Sequence, residues 1–280
     1  MSMERRIFTY WHQGFSNAPA VVNTCVQSLK AHHPEWEIVL LDDENVHEWI
    51  EPIPISKAKW ETLRLAHQSD VIRTQLLVRY GGVWADPTIF FTKSMDTWLP
   101  ERMEPGLFLF HRPGPDRLIA NWFIAATKGN LLLQRLYDEL CKYWENNDFI
   151  NLVRAKPKVA IVFSRIINRN LTLPRLWLRK PVLKLLRTAP YMIYHYMFYD
   201  LVCRDSRCNE AWSRVEKVRP DGKFLLKRHG LHNEITPDLK ARIDSGSDHL
   251  YKLAWKLPPE FDPNGTVLEY LDEVANTRPA

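Results

Sequence analysis

Gln68-Ser-Asp-Val-Ile-Arg73 and Tyr80-Gly-Gly-Val-Trp-Ala-Asp-Pro-Thr88 are the two stretches that decide the fold of this chain. Apolar residues recur at helical spacing from Trp60 to Tyr80, and the Gly81-Gly82 pair supplies the left-handed residue that commonly ends a helix. Val83-Trp84-Ala85 then has the length and apolar character of a short buried strand. The sequence therefore predicts a helix, a glycine turn and a strand in succession.

The charged residues of this helix and strand are spaced so that they can meet. A helix rises ~1.5 Å per residue and a strand ~3.3 Å, so Asp70 stands ~15 Å before Tyr80 and Asp86 returns ~13 Å along the strand. Asp70 and Arg73 are three residues apart and share a helical face, which pairs an acceptor with a planar cationic donor. Sugar hydroxyls and phosphates require both kinds of group. The alternative is an ordinary salt bridge at the surface or at the edge of the core.

The string Ser69-Asp70-x-x-Arg73 through Tyr80-Gly81-Gly82-Val83-Trp84-x-Asp86 resembles the capsular polysaccharide synthesis proteins and their relatives in glycosyltransferase family 32, which include the catalytic domains of large clostridial glucosylating toxins. The resemblance implies a GT-A fold, which is a Rossmann-like α/β domain. It also implies transfer of a sugar, with retention of anomeric configuration, from a UDP- or GDP-sugar to a glycan or lipid-linked glycan acceptor. The implied catalytic residues are Asp70, Arg73 and Asp86, with Asp70 and Arg73 holding the donor sugar.

A divalent metal, Mn²⁺ or Mg²⁺, is the cofactor that the resemblance implies. Asp86 opens the Asp-x-Asp motif of the family, but Thr88 stands where the second acid is expected. A hydroxyl is a weaker ligand than a carboxylate for these hard cations, so we expect weak metal binding. The implied metal ligands are Asp86, Thr88 and His249. The alternative for His249 is an ordinary surface histidine.

Both ends of the chain contribute to the implied donor site. Arg6 to Gly14 predicts a first strand that runs into a glycine-containing loop, where open α/β sheets bind nucleotides. Residues 248–256 resemble the C-terminal loop that closes over the diphosphate in this family, where Lys252 would neutralise the leaving nucleotide. Trp11 is the candidate for stacking on the nucleobase, against the alternative of a core aromatic. The donor-binding candidates are Tyr10, Trp11, Gly82, Asp86, Lys252 and Trp255.

Two further segments, 121–126 and 194–200, resemble family signatures that are expected on the acceptor side. Aromatic faces stack on sugar rings, and an Asn or Asp fixes hydroxyl groups. The acceptor-side candidates are Asn121, Trp122, His195 and Asp200. His195 and Asp200 would assist deprotonation of the attacking hydroxyl. The alternative is that these aromatic-rich segments belong to the core.

Helix and strand patterns alternate outside these motifs. Residues 21–33 and 131–144 have helical periodicity, whereas residues 37–41 and 106–110 are buried-strand runs. This order is typical of an α/β fold with a mostly parallel sheet covered by helices. We predict one GT-A domain over residues 1–280. Its predicted parts are a nucleotide-sugar core at 1–148, a basic helical insertion at 149–200 and a C-terminal part at 201–280.

The positive charge of the chain is concentrated in one region. Residues 149–199 contain ten Lys or Arg and no Asp or Glu, although the net charge of the whole chain is only +5. Residues 171–187 alternate Leu and Trp with cations, which suits an anionic membrane surface. The alternatives are a solvated basic face and a nucleic-acid patch. We expect no nucleic-acid partner, because no nucleic-acid-binding motif accompanies the charge.

Cysteine usage and hydropathy indicate the compartment. The four cysteines form no CxxC pair and no common zinc spacing, which favours a reducing compartment. The sequence has no signal-peptide pattern and no run of about 18 apolar residues. We therefore expect a cytoplasmic enzyme, peripheral at the cytoplasmic face of the membrane. The rival hypothesis is a non-catalytic membrane-surface or polyanion-binding protein that retains the fold, which Thr88 and the basic segment suggest.

Overall fold

The computed structural model describes residues 3–149 and 158–277. These residues form a mixed α/β fold with a mostly parallel central sheet, flanked by helices, and a second sheet of two strands. The strands are β1 Arg6–Tyr10, β2 Glu37–Leu41, β3 Gly82–Ala85, β4 Ile89–Phe91, β5 Leu107–Gly114, β6 Arg117–Ala126 and β7 Leu250–Lys252. The helices are α1 Ala20–His32, α2 Lys57–Trp60, α3 Leu65–Tyr80, α4 Leu131–Asn146, α5 Lys158–Ile167, α6 Lys180–Leu186, α7 Ile193–Arg204, α8 Ser206–Arg214, α9 Leu225–His229, α10 Pro237–Asp244 and α11 Val267–Thr277. The predicted α/β class, with a helical C-terminal half, is confirmed.

The chain divides into two compact units, each assembled from separate stretches. The first unit comprises mainly residues 47–84 and 105–219, and the second comprises residues 5–46, 85–104 and the stretch from 220 onward. The predicted partition at 148 and 200 concerns functional parts of the sequence and stays a prediction.

The second unit contains a parallel strand pair and an antiparallel one. β1 and β2 pair in parallel, ending with Tyr10 opposite Leu41, which confirms both predicted strands. In the small sheet β4 and β7 pair in antiparallel fashion, with Ile89 opposite Lys252. α1 packs against β4 and α11, and Phe90 lies in the resulting core. The parallel pair therefore brings the carboxyl ends of β1 and β2 to one edge, where open sheets bind ligands.

The first unit contains β3, β6 and β5 side by side in that order. β5 and β6 form an antiparallel hairpin with a register shift between Leu109 and His111. β5 extends to Gly114, beyond the predicted strand at 106–110, because β6 pairs with its second half. α7 packs on β6, and α3 packs on α4. The helix predicted at 131–144 is confirmed as α4 and begins with the Asn130 side chain accepting two backbone N–H groups.

The glycine turn after α3 has the predicted role. α3 ends at Tyr80, and Gly81 follows with a φ of 71°. A Cβ atom at Gly81 would stand 2.7 Å from the backbone nitrogen of Lys128. Both the backbone conformation and the available space therefore require glycine at this position.

The predicted start of this helix at Trp60 is wrong. α2 ends at Trp60, and α3 begins at Leu65 after Arg64, whose backbone is extended. The Gln68 side chain donates a hydrogen bond of 2.9 Å to the Trp60 carbonyl, and buried Leu63 lies in the break. These contacts stabilise a turn where apolar spacing alone indicated a continuous helix.

The basic region is helical where it is described. Residues 150–157 lie outside the described residues, and α5, a 3₁₀ helix at Leu173–Leu178 and α6 follow. Within residues 3–149 and 158–277, no helix is both long enough and apolar enough to cross a bilayer.

Candidate functional site

A tight turn after β3 presents the two polar groups of the Asp-x-Thr motif. The Asp86 carbonyl accepts a hydrogen bond of 3.1 Å from the Ile89 N–H, and Pro87 occupies the second turn position, as it commonly does. The turn leads directly into β4, which pairs with β7. Because Ile89 lies opposite Lys252 in that pairing, the Lys252 side chain reaches the turn.

The Lys252 ammonium contacts both polar groups of the turn. Its Nζ lies 2.8 Å from Asp86 Oδ2 and 2.5 Å from Thr88 Oγ1. The Lys252 and Asp86 side chains are only 16% and 22% exposed, so solvent screens their attraction less than at an open surface. The backbone is also tied here, because the Leu253 N–H donates to the Thr88 carbonyl. The site therefore contains a cation held between a carboxylate and a hydroxyl.

The donor atoms at this turn do not fit a resident divalent metal ion. Mg²⁺ and Mn²⁺ favour sites rich in carboxylate oxygens, whereas the motif supplies one carboxylate and one hydroxyl, both in contact with Lys252. Among the described residues, no cluster of three or more His, Cys, Asp or Glu side chains is arranged to hold a metal.

The third predicted metal ligand, His249, is engaged elsewhere. Its imidazole stacks on the Trp98 indole, with ring centroids 5.4 Å apart. Burial, and then the positive charge of Lys223, lower the pKa of His249. A role for His249 at phosphate stays a prediction.

Polar groups gather where β1 and β2 end. The Tyr10 hydroxyl donates to Asp43, and burial together with this hydrogen bond raises the pKa of Tyr10. His12 Nδ1 lies 2.7 Å from the other carboxylate oxygen of Asp43. Asp42 accepts backbone N–H groups of the following loop. His12, Asp42 and Asp43 are not among the predicted site residues, although their position after buried parallel strands was the available signal.

Two tryptophans lie against each other in the same unit. Trp11, which directly follows β1, packs edge to face on Trp255, with ring centroids 5.6 Å apart. Trp255 is 42% exposed and stands three residues after Lys252. The pair therefore offers an accessible aromatic surface of the kind on which a nucleobase stacks.

In the first unit, Asp70 and Arg73 belong to a buried polar network. Arg73 Nε lies 3.4 Å from Asp70 Oδ1, and the two residues are 5% and 4% exposed, respectively. Asn121 donates a hydrogen bond of 2.8 Å to Asp70, and its carbonyl accepts one of 2.5 Å from Arg73. The Arg73 guanidinium also lies over the Trp84 ring, 4.7 Å from its centroid. The network fixes both charged groups, which is a requirement for holding a sugar in one orientation.

The remaining acceptor-side candidates lie in different surroundings. Trp122 is buried and stacks on Phe110 at 4.9 Å. His195 is buried on α7, and burial, reinforced by the charges of Arg117 and Arg73, lowers its pKa to about 3. The imidazole of His195 is therefore neutral at physiological pH.

Asp200 is the centre of an ion-pair cluster. Its carboxylate lies 2.7 Å from Arg175, 3.5 Å from Arg179 and 3.0 Å from Arg204. Two of these arginines come from the basic segment, so Asp200 neutralises part of its charge. The acceptor-side roles of Asn121, Trp122, His195 and Asp200 stay predictions.

The predicted meeting of Asp70 with Asp86 also stays a prediction. Asp70 belongs to the first unit and Asp86 to the second. Gly82 is buried at the start of β3 with a φ of 88°, and its predicted contact with the donor likewise stays a prediction.

The chain is similar to known proteins both in sequence and in structure. The family model described as capsular polysaccharide synthesis protein matches residues 1–153. The chain is 24% identical over 164 residues to O-glycosyltransferase braB of Annulohypoxylon truncatum, covering 52% of this chain and 39% of that protein. It is 26% identical over 174 residues to glycosyltransferase afumC of Aspergillus fumigatus, covering 56% of this chain and 44% of that protein.

A third curated relative is O-glycosyltransferase PaGT of Phomopsis amygdali, which is 26% identical over 175 residues, covering 56% of this chain and 43% of that protein. The chain thus spans less than half the length of each of these three relatives. Among solved structures, PaToxG glycosyltransferase aligns with a TM-score of 0.43 at 14% identity, covering 88% of this chain and 86% of that chain.

Proposed function

This chain belongs to the capsular polysaccharide synthesis protein family, and from that premise we propose that it is a glycosyltransferase. The proposed reaction moves a sugar from a nucleotide-sugar donor, UDP- or GDP-linked, to a glycan or lipid-linked glycan acceptor. Three relatives that are named as glycosyltransferases support the reaction class. The observation that carries the proposal is the Lys252 ammonium, fixed at a strand-end turn three residues before the exposed indole of Trp255.

The second unit supplies the groups that a nucleoside diphosphate requires. The Trp11 and Trp255 rings offer a stacking surface for the base, and the carboxylates after β2 offer acceptors for ribose hydroxyls. The bond from the sugar to the diphosphate breaks as the bond to the acceptor oxygen forms, so negative charge develops on the leaving diphosphate. A fixed cation stabilises that charge more in the transition state than in the ground state.

We assign the donor sugar to Asp70 and Arg73 of the first unit, and Asn121, a proposed acceptor-side residue, contacts both of them. A carboxylate, a guanidinium and an amide in one network offer both acceptors and donors to sugar hydroxyls. Retention of configuration follows when the acceptor attacks the face that the diphosphate leaves. His195 and Asp200 remain the proposed acceptor-side groups.

We further propose that the enzyme works at an anionic membrane surface. Large exposed apolar side chains are concentrated in the basic region, namely Ile161, Val162, Ile166, Leu173, Leu176 and Leu185. The exposed cations Lys180, Lys184 and Arg187 lie among them along the chain. Apolar side chains that enter the headgroup region, flanked by cations, favour binding to anionic lipid.

The test of the function is release of nucleotide from a panel of UDP- and GDP-sugars. A donor present at 100 times its dissociation constant stabilises the protein by about 2.7 kcal/mol, so a thermal-shift screen identifies the donor first. Nucleotide release that depends on Asp70 and Asp86 supports the transferase. A protein that binds vesicles but neither binds nor cleaves any donor is the rival non-catalytic protein.

A further inference from the structure

We infer that the Lys252 ammonium takes the place of a divalent metal ion in this site and that nucleotide binding does not require a metal. The inference rests on the proposed glycosyl transfer and deepens it, because it names the group that neutralises the diphosphate. It is carried by the contacts of Lys252 with both side chains of the Asp-x-Thr motif.

The position of the ammonium is the first support. A metal bound by Asp86 and Thr88 would have to approach the same two oxygens that lie 2.8 Å and 2.5 Å from Nζ. Metal–oxygen bonds are about 2.0–2.2 Å long, so the ion and the ammonium would be close neighbours of like charge. Lys252 would have to leave before a metal could enter.

The backbone of Lys252 opposes that departure. Lys252 lies opposite Ile89 in the β4–β7 pair, and its N–H donates 2.7 Å to the Lys223 carbonyl. The next residue, Leu253, donates 2.8 Å to the Thr88 carbonyl. These bonds join the backbone of Lys252 to the backbone of the motif, and the contacts of Nζ with Asp86 and Thr88 then hold the ammonium before any ligand arrives.

The charges of the motif are the second support. Asp86 brings one negative charge to the single positive charge of Lys252, whereas a second acid in the motif would suit a dication. The Thr88 hydroxyl accepts a hydrogen bond from the ammonium without adding negative charge. A motif with one carboxylate and one hydroxyl therefore suits the single positive charge of Lys252 better than it suits a divalent metal ion.

The ammonium also has an N–H donor for the ligand. A lysine has three N–H donors, and two acceptors among the described residues, Asp86 and Thr88, take two of them. The third donor is available for a phosphate oxygen. Asp86 is then a positioning residue for Lys252, and Lys252 is the group that contacts the diphosphate.

The experiment measures Mn²⁺ binding and nucleotide binding separately on the full chain. Mn²⁺ binding to the protein alone is followed by the electron paramagnetic resonance signal of free Mn²⁺. UDP and GDP binding is followed by calorimetry in EDTA and in excess Mn²⁺, and donor hydrolysis is measured under the same two conditions. The wild-type protein should bind little Mn²⁺, and it should bind nucleotide and cleave donor equally well in both.

Three substitutions sharpen the test. Lys252→Gln should weaken nucleotide binding in EDTA by about 10- to 100-fold, the factor expected for loss of a charged hydrogen-bond donor. Lys252→Arg should restore most of that affinity, which separates loss of charge from loss of fold. Lys240→Gln is the matched control, because it removes an exposed cation that contacts Tyr270 in the same unit and should change nothing.

A double variant tests the converse. Thr88→Asp combined with Lys252→Ala builds a two-carboxylate site without the ammonium, so it should bind Mn²⁺ and should lose nucleotide affinity in EDTA and regain it with Mn²⁺. Melting curves identify any variant that fails to fold. If the double variant or Lys252→Gln does not fold, the wild-type protein and Lys252→Arg still show whether nucleotide binding requires a metal.

Two results would overturn the inference. One is wild-type nucleotide binding or donor cleavage that disappears in EDTA and returns with Mn²⁺, which leaves the transferase intact. The other is Mn²⁺ binding by the wild-type protein that Asp86→Asn abolishes. If no UDP- or GDP-linked ligand binds under any condition, the proposed function fails and the assignment of Lys252 to diphosphate fails with it, whereas the Mn²⁺ signal still decides whether Lys252 occupies a metal position.

Discussion

Replacing Arg73 by Met tests whether the buried network around Asp70 stabilises the candidate site. Arg73 donates hydrogen bonds of 3.1 Å and 2.9 Å to the carbonyl and hydroxyl of Ser69 and one of 2.5 Å to the Asn121 carbonyl. Its ion pair with Asp70 has side chains that are only 6% and 5% exposed. Methionine approximates the length of the side chain but removes the charge and every donor.

The expected loss in the free energy of unfolding is about 3–5 kcal/mol, which is the usual cost of removing one partner of a buried ion pair. Most of this cost comes from the Asp70 carboxylate, which stays buried while it loses its ion pair with Arg73. Asp70→Asn combined with Arg73→Met should therefore be more stable than Arg73→Met alone, because the amide removes the buried charge that Arg73 had balanced. Such opposition between neighbouring substitutions is measured by a double-mutant cycle.

The assay is urea unfolding followed by the fluorescence of the 11 tryptophans. The matched control is Arg79→Met on the same helix, because Arg79 pairs with Glu51 at the surface, with side chains 38% and 62% exposed. That substitution should cost at most about 1 kcal/mol. If Arg73→Met costs no more than Arg79→Met, or if the Asp70→Asn and Arg73→Met effects simply add, the reasoning about the buried pair is refuted.

Three further predictions concern activity, membrane binding and pH. Asp86→Ala should lower donor cleavage by about 10²–10³-fold while the protein stays folded, because it releases the Lys252 ammonium from its position; unchanged turnover by the folded variant would contradict the site. Replacing Lys180, Lys184 and Arg187 by Gln should remove about 1 kcal/mol per cation of attraction to anionic vesicles in co-sedimentation, while donor hydrolysis stays at the wild-type rate; unchanged sedimentation would leave a solvated basic face. The folded-state pKa of His195, about 3, lies below its unfolded value, so the unfolded state binds the extra proton and stability should fall as pH drops from ~6.5 towards 3. His195→Gln should reduce the pH dependence of the free energy of unfolding, measured by denaturant titrations at several pH values, and an unchanged pH dependence would contradict the prediction.

Local patterns predicted much of the fold. The strands at residues 6–10 and 37–41, the helix predicted at 131–144 and the glycine after Tyr80 all follow from patterns within a few neighbouring residues. Periodicity reports which face of an element is apolar, and a positive φ selects glycine, so neither requires knowledge of distant residues. The same reasoning failed at Trp60. The apolar pattern continues across residues 61–64, but the helix breaks there, and the Gln68 side chain donates a hydrogen bond to the Trp60 carbonyl.

The sequence by itself determined the α/β class, the helix-turn-strand motif and the presence of an isolated Asp86 with Thr88 in place of a second acid. Only the tertiary structure decided what accompanies that acid, because Lys252 is 166 residues away from it along the chain. Their contact depends on the pairing of two three-residue strands, and such a pairing leaves no periodic signal in the sequence. The burial of Asp70 with Asn121 and the neutralisation of Arg175 by Asp200 have the same origin. The sequence specifies the residue types and their local spacing, whereas packing and strand register decide which charged side chains come into contact.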